Sequence, residues 1–279
     1  MLVIASALLS DRFLTPSNLI NILRQNAVIA IMGFGTTFIM CVGGINIAYD
    51  KILGLTGCVG CTAFVLSGGN IFVALLASLL CGALVGAFYG NMVTVFKLPP
   101  FIVGLAISSI AEGIVMIYTN ASPIQGIKGT WFSWLGQGYI FSIPTPIVIC
   151  LVMMVATWFI LRKTTFGRHC VATGGNRAAA EACGIRTKRV INTVYIMDGV
   201  LCALASCVFM GRLGVGQPSP GQGYGFDAIT GVVIGGASLD GGSGGAVGTL
   251  VGILVVGVLN NIMNLKGSAL TISCLLRAL

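Results

Sequence analysis

Two carboxylates, Glu112 and Asp198, lie inside long apolar runs of this 279-residue chain, and the amides Asn46, Asn91, Asn260, Asn261 and Asn264 share that setting. A charge within an apolar span is costly unless water or a partner meets it, so each carboxylate is a candidate proton or cation site, or a buried hydrogen-bonding group. An amide can bond across helices or touch a polar solute without the cost of a full charge. The adjacent pair Asn260-Asn261, in the middle of an otherwise apolar helix, is the best candidate for either job. This is the chemistry of binding rather than of bond making. No Ser-His-Asp, Cys-His or paired-carboxylate constellation can be assembled, and the single histidine, His169, leaves no basis for a His-rich metal site.

The elements that position these groups are membrane helices. Hydrophobic residues make up 56% of the chain and charged residues 8%, and the mean hydropathy is +1.01, a composition that excludes a soluble domain of this length. The apolar segments are continuous rather than alternating, which argues against a strand-built barrel. Runs at roughly 27–44, 52–67, 71–96, 101–118, 145–161, 190–210 and 246–265, with a weaker Gly-rich run at 228–239, predict seven or eight spans. The expected fold is an all-α polytopic transmembrane bundle, a single domain over 1–279. The opening MLVIASALLSDRF is too short to cross, so a first helix is expected to be clipped or to start upstream. Forty glycines fit close helix packing in a bilayer. Most of the ten cysteines fall within apolar runs and read as small buried hydrophobes, and Cys58-x-x-Cys61 lacks the second pair or neighbouring His of a metal site.

Orientation follows from the basic residues. The stretch RKTTFGRHCVATGGNRAAAEACGIRTKR, 162–189, holds seven of the 15 Lys and Arg residues and is therefore a cytoplasmic loop. That accounts for the net charge of +8 without nucleic acid, since no base-stacking aromatics accompany it. After Gly174-Gly175, Asn176 can cap a short helix over 177–183 that Gly184 stops. Such a helix on the inner face is a docking surface for a soluble partner. Propagating the topology puts the KLPP turn at 97–100 inside, the aromatic-rich loop 119–144 outside as a re-entrant or interfacial segment, and Arg12 and Arg24 outside. Residues 43–51, GGINIAYDK, interrupt two spans, as a broken helix beside a pathway or as an inner turn. A second interrupted segment, 211–245, has glycines but no Lys beside Ser or Thr, so it is not a phosphate loop.

Five segments together, GGINIAYDKILGLTG (43–57), GNMVTVFKLPPFIVGLAISSIAEGIVMIYTNASPI (90–124), TTFGRHCVATGGNRAAAEACGI (164–185), QPSPGQGYGFDAITGVVIGGASLDGG (217–242) and GTLVGILVVGVLNNIMNL (248–265), resemble the permeases of ribose/galactose-type ABC importers. The resemblance implies a multi-pass subunit of the bacterial inner membrane that pairs with a second permease copy or homologue. It further implies a separate ATPase that hydrolyses ATP, no cofactor on the chain itself, and an extracytoplasmic sugar-binding protein that delivers the solute. On this pattern Gly167, Arg168, Gly174, Gly175, Asn176, Glu181 and Gly184 belong to the ATPase-coupling loop, and Asn46, Asn91, Asn260 and Asn261 are candidates for the translocation pathway.

The chain departs from the family in three places. Gly-Gly-Ile-Asp-Leu-Ser is usual where it has Asn46 and Ala48, followed by Tyr49-Asp50-Lys51. The first helix is short. The ending KGSALTISCLLRAL replaces further apolar helix. A secondary transporter using Glu112 and Asp198, or a truncated, non-transporting membrane subunit, stays open as an alternative.

Overall fold

The computed structural model describes residues 15–265, so the opening segment with Arg12 and the ending from 266 lie outside the described residues. Six helices among the described residues are long and apolar enough to cross a membrane. They are α1 (Pro16–Cys41), α2 (Tyr49–Leu66), α3 (Ile71–Thr94), α4 (Pro100–Thr119), α6 (Thr145–Lys163) and α9 (Thr187–Leu213). Two further apolar helices, α10 (Tyr224–Ile234) and α11 (Ala246–Leu265), complete the bundle. The outer loop carries α5 (Trp131–Gln137) and a two-residue hairpin, β1 (Tyr139–Ile140) with β2 (Ile143–Pro144). Phe141 and Ser142 form its turn with φ of 49° and 69°, the left-handed pair a tight hairpin requires.

Burial separates centre from periphery. The spanning windows of α1 and α9 are 83% and 78% buried, against 22–28% for α3, α4 and α6. The centre is held by close approach: a Cβ added at Gly82 would lie 2.3 Å from the Gly199 carbonyl oxygen, and one at Gly86 would lie 2.2 Å from that of Tyr195. Glycines four apart on α3 therefore let its backbone rest directly on α9, contact that drives helix association where lipid supplies no hydrophobic force. The cysteines of the apolar runs behave as packing residues, and Cys41, Cys58, Cys61, Cys150, Cys202 and Cys207 are buried free thiols.

Two elements differ from the apolar pattern. Helix α1 starts at Pro16, well before residue 27, and polar side chains of this early part find partners within the bundle: Asn26 Nδ2 donates to the Ile22 carbonyl at 2.8 Å, and one Arg24 Nη donates to Tyr139 Oη at 2.8 Å. The Arg24 bond also places that residue at the end of the bundle bearing loop 119–144. The basic segment is the second difference. Ahead of the expected short helix stands α7 (Thr165–Gly175), started by Thr164, whose hydroxyl accepts from Gly167 N at 3.2 Å. Gly174 and Gly175 are the last residues of this helix rather than a break before the next.

Candidate coupling and translocation site

The inner face is built from α7 and the six-residue helix α8 (Arg177–Ala182). Asn176 caps α8 by accepting from Ala179 N at 3.0 Å, and Gly184 at φ +84° turns the chain out of it. Glu181 accepts from Thr187 Oγ1 at the start of α9 and from Arg177 Nε at 3.4 Å, which ties the short helix to the long central one. The Thr187 bond, then the Arg177 contact, hold the Glu181 carboxyl below its ordinary pKa. Gly167 is buried against the last turn of α6, whereas Arg168 is exposed.

Gly174 is packed with no room for a side chain. An added Cβ would lie 2.0 Å from the Cys41 carbonyl oxygen at the end of α1 and 2.7 Å from Gly242 N, which itself donates to that carbonyl at 3.1 Å. The end of α7, the end of α1 and the 235–245 loop therefore meet at one point. Beside it an inner cavity of about 570 Å³ is bounded by Gly43 and Gly44 of the break, by Lys97 to Pro100, by Arg177 and Glu181 of α8, and by Lys188 and Tyr195 of α9. The KLPP turn thus sits at the same end as the basic segment.

The interruption at 42–48 is a true break between α1 and α2. Gly43 opens it at φ +73°, and Asn46 Oδ1 accepts from Ala48 N at 2.9 Å. Its polar groups are met by protein: Asn46 Nδ2 donates to Asp198 Oδ2 and Tyr49 Oη to Asp198 Oδ1, each at 2.8 Å, and Thr36 Oγ1 donates to Tyr49 Oη at 2.9 Å. Asn46, Tyr49 and Asp198 are all buried. Tyr89 Oη lies within bonding reach of the Ile45 and Pro100 carbonyls at 3.1 and 2.8 Å, and its ring stacks on Tyr195 at 4.5 Å, so the break is also tied to the start of α4.

The first turn of α2 has two further charged groups. Asp50 accepts from Gly223 N and Gly225 N, each at 2.8 Å, at the N-terminus of α10, where the helix dipole favours an anion. Lys51 Nζ donates to Glu112 Oε1 of α4. The remaining pathway candidates lie apart from the break. Asn91 is exposed and accepts from Asn192 Nδ2 at 3.0 Å, Asn260 Nδ2 donates to Asp227 Oδ2 at 3.2 Å, and Asn261 exchanges two 3.1 Å bonds with Asn18. Sequence reasoning did not pick out Tyr49, Asp50 and Lys51 as site residues; the signal was there, in polar and bulky types where small residues are usual.

A helical bundle with six membrane-length helices, an interruption between its first two spans and a folded basic segment at one end is the architecture of a multi-pass membrane protein. The family described as branched-chain amino acid transport system / permease component matches residues 18–279. The ribose import permease protein RbsC of Bacillus subtilis is 39% identical over 268 residues, covering 96% of this chain and 83% of that protein. RbsC of Escherichia coli K12 is 40% identical, covering 93% and 81%, and the D-allose transport system permease protein AlsC of the same organism is 32% identical, covering 94% and 80%. No solved structure matches the chain. The chain belongs to this permease family. It is a permease subunit of an ABC-type importer rather than an enzyme, and it resides in the inner membrane; the ATP is hydrolysed by a partner ATPase, and a substrate-binding protein supplies the solute.

Proposed function

We propose that this chain forms the translocation pathway of an ATP-driven importer for a monosaccharide, ribose or a close relative, as one half of a pair of permease copies. It binds no cofactor itself, and it functions as one transmembrane domain. The ribose and D-allose permeases named above support the solute class. The coupling role rests on one observation above all: Gly174 of the inner segment is in backbone contact with Cys41, the last residue of α1 before the break.

Gly167, Arg168, Gly174, Gly175, Asn176, Glu181 and Gly184 shape a surface that docks on the ATPase. Displacement of that surface is transmitted through the Gly174 contact to the end of α1 and the 235–245 loop. Packed elements with no slack move as bodies, so the push alters the break at 42–48 rather than dissipating locally. The pathway asparagines Asn46, Asn91, Asn260 and Asn261 are proposed to act along this route. A proton- or cation-coupled mechanism fits less well, because Glu112 is paired with Lys51 and Asp198 is engaged by Asn46 and Tyr49.

Reconstitution with the cognate ATPase and binding protein in proteoliposomes tests the reading. Uptake of labelled ribose that needs ATP and the binding protein is expected. Uptake driven by an ion gradient without the ATPase would overturn it.

A further inference from the structure

The outward faces of the three peripheral spans are not alike. Over 71–90 of α3 the exposed residues are Phe72, Val73, Leu76, Leu80, Leu84 and Phe88, and over 145–161 of α6 they are Leu151, Val152, Val155, Trp158 and Phe159, all apolar and mostly bulky; the exposed polar residues of these two helices, Asn91, Arg162 and Lys163, lie in their last turns. Those faces suit acyl chains. The outward face of α4 instead places Ala106, Ser109 and Gly113 among its apolar residues. On it stands the Lys51–Glu112 pair, whose side chains are 22% and 42% exposed.

An ion pair left this open to hydrocarbon would be expensive, and such groups face water or protein instead. Lys51 is also held from behind. Its neighbours Tyr49 and Asp50 are bonded to Asp198 and to the start of α10, so the ammonium is presented from a fixed turn. Ser109 lies one turn before Glu112 on the same helix and adds a hydroxyl to that face.

We propose that Lys51 and Glu112 form a sugar-hydroxyl station in a water-filled pathway along α4: the ammonium donates to one hydroxyl, and the carboxylate accepts from its neighbour. This assignment rests on the monosaccharide-importer reading. A paired donor and acceptor meets a vicinal diol with charge-assisted bonds on both sides, while the pair stays closed on itself when no sugar is present. It therefore distinguishes a polyol from an apolar solute without leaving an uncompensated charge between transport cycles.

The test uses the complete complex of this chain with its ATPase and binding protein in proteoliposomes. Glu112→Gln and Lys51→Met should each lower maximal ribose uptake about tenfold, the scale of one lost charge-assisted bond, with sugar affinity of the binding protein unchanged. The exchanged variant Lys51→Glu with Glu112→Lys keeps an ion pair, so it should recover thermal stability but not uptake. Glu112→Cys, compared with the parent chain, should react with a charged, membrane-impermeant thiol reagent and be protected by ribose. Wild-type uptake in Glu112→Gln, full recovery of uptake by the exchange, or an unreactive Cys at 112 through the whole ATP cycle would overturn the station and leave a structural tie. A wild-type complex that imports no monosaccharide would refute the importer reading itself, and the labelling would still decide whether the pair faces water.

Discussion

Asp198 Oδ2 accepts a hydrogen bond from Asn46 at 2.8 Å, joining the centre of α9 to the break that follows α1 across 152 residues of sequence. The other carboxylate oxygen takes the Tyr49 hydroxyl, so one buried side chain fixes both the break and the first residue of α2. Asp198→Ala should strand the Asn46 amide and the Tyr49 hydroxyl, each at a cost of about 1–3 kcal/mol, and so lower the melting temperature in detergent by several degrees. Asn46→Asp, which restores the residue usual in the resembling family, should be equally harmful in this chain because it sets a second carboxylate against Asp198. Combining it with Asp198→Asn reverses the pair and should return most of the lost stability. Thermal unfolding of the three variants checks this.

The spans were legible because each is a continuous apolar run, and α8 because Asn176 and Gly184 stand at its two ends. Helix α7 was not, since TFGRHCVATGG is rich in poor helix formers and reads as a polar loop. Its order comes from packing, with Gly167, Cys170 and Thr173 turned inward at helical spacing. The partners of Asp198 and Glu112 were equally hidden. Their separations of 152 and 61 residues are set by how α9 lies against the break and α4 against the first turn of α2, which hydropathy does not encode.

Asp50 takes two backbone N–H groups at the start of α10, a helix whose own N-cap residue, Gly223, has no side chain to supply. Asp50→Ala should cost about 1–2 kcal/mol through the lost cap and dipole interactions, and Asp50→Asn less. The loss should be local. Hydrogen exchange of the amides at 223–227 should rise in Asp50→Ala while that of α3 stays as in the wild type.

Gly174 tests transmission. Gly174→Ala must displace either Cys41 or Gly242, because its Cβ would fall 2.0 Å from the Cys41 carbonyl oxygen. The expected outcome is ATP hydrolysis that continues in the complex while uptake falls at least tenfold, a barrier change of about 1.4 kcal/mol. Gly175→Ala next to it meets nothing within 4 Å and should transport normally. Parallel ATPase and uptake assays on the two variants separate a contact effect from a general loss of helix flexibility.

Glu181 gives the inner helix a defined response to acid. Its carboxyl is held below the ordinary value of 4.5, first by the Thr187 hydroxyl and then by Arg177. A group whose pKa is depressed on folding stabilises the folded form above its unfolded value, and that stabilisation is lost as pH falls through the lowered folded value. The link between α8 and α9 should therefore be intact at neutral pH and loosen only below the usual carboxylate range. Hydrogen exchange over 177–184, corrected for its intrinsic pH dependence, should show this opening, and Thr187→Val should move it to higher pH. Glu181→Arg removes the acceptor and should uncouple hydrolysis from uptake at pH 7 with insertion unimpaired.

Asn260 and Asn261 are neighbours in sequence with different work in the fold. Asn260 donates to buried Asp227 of α10, whereas Asn261 forms a reciprocal pair with Asn18 of α1, half-buried at the outer end. Asn260→Leu removes a donor from a buried carboxylate and should destabilise by about 1–3 kcal/mol. Asn261→Leu breaks two amide bonds, but Asn18 can turn to water at the outer end, so the cost should stay at about 1 kcal/mol, two bonds at a mean of about 0.6 kcal/mol each between membrane helices. Uptake separates these structural roles from a place in the pathway. If Asn261 touches solute, Asn261→Leu should lower uptake well beyond its small effect on stability, with ATP hydrolysis and binding-protein docking unchanged. Transport that tracks melting temperature across both variants would make the two amides ties between helices.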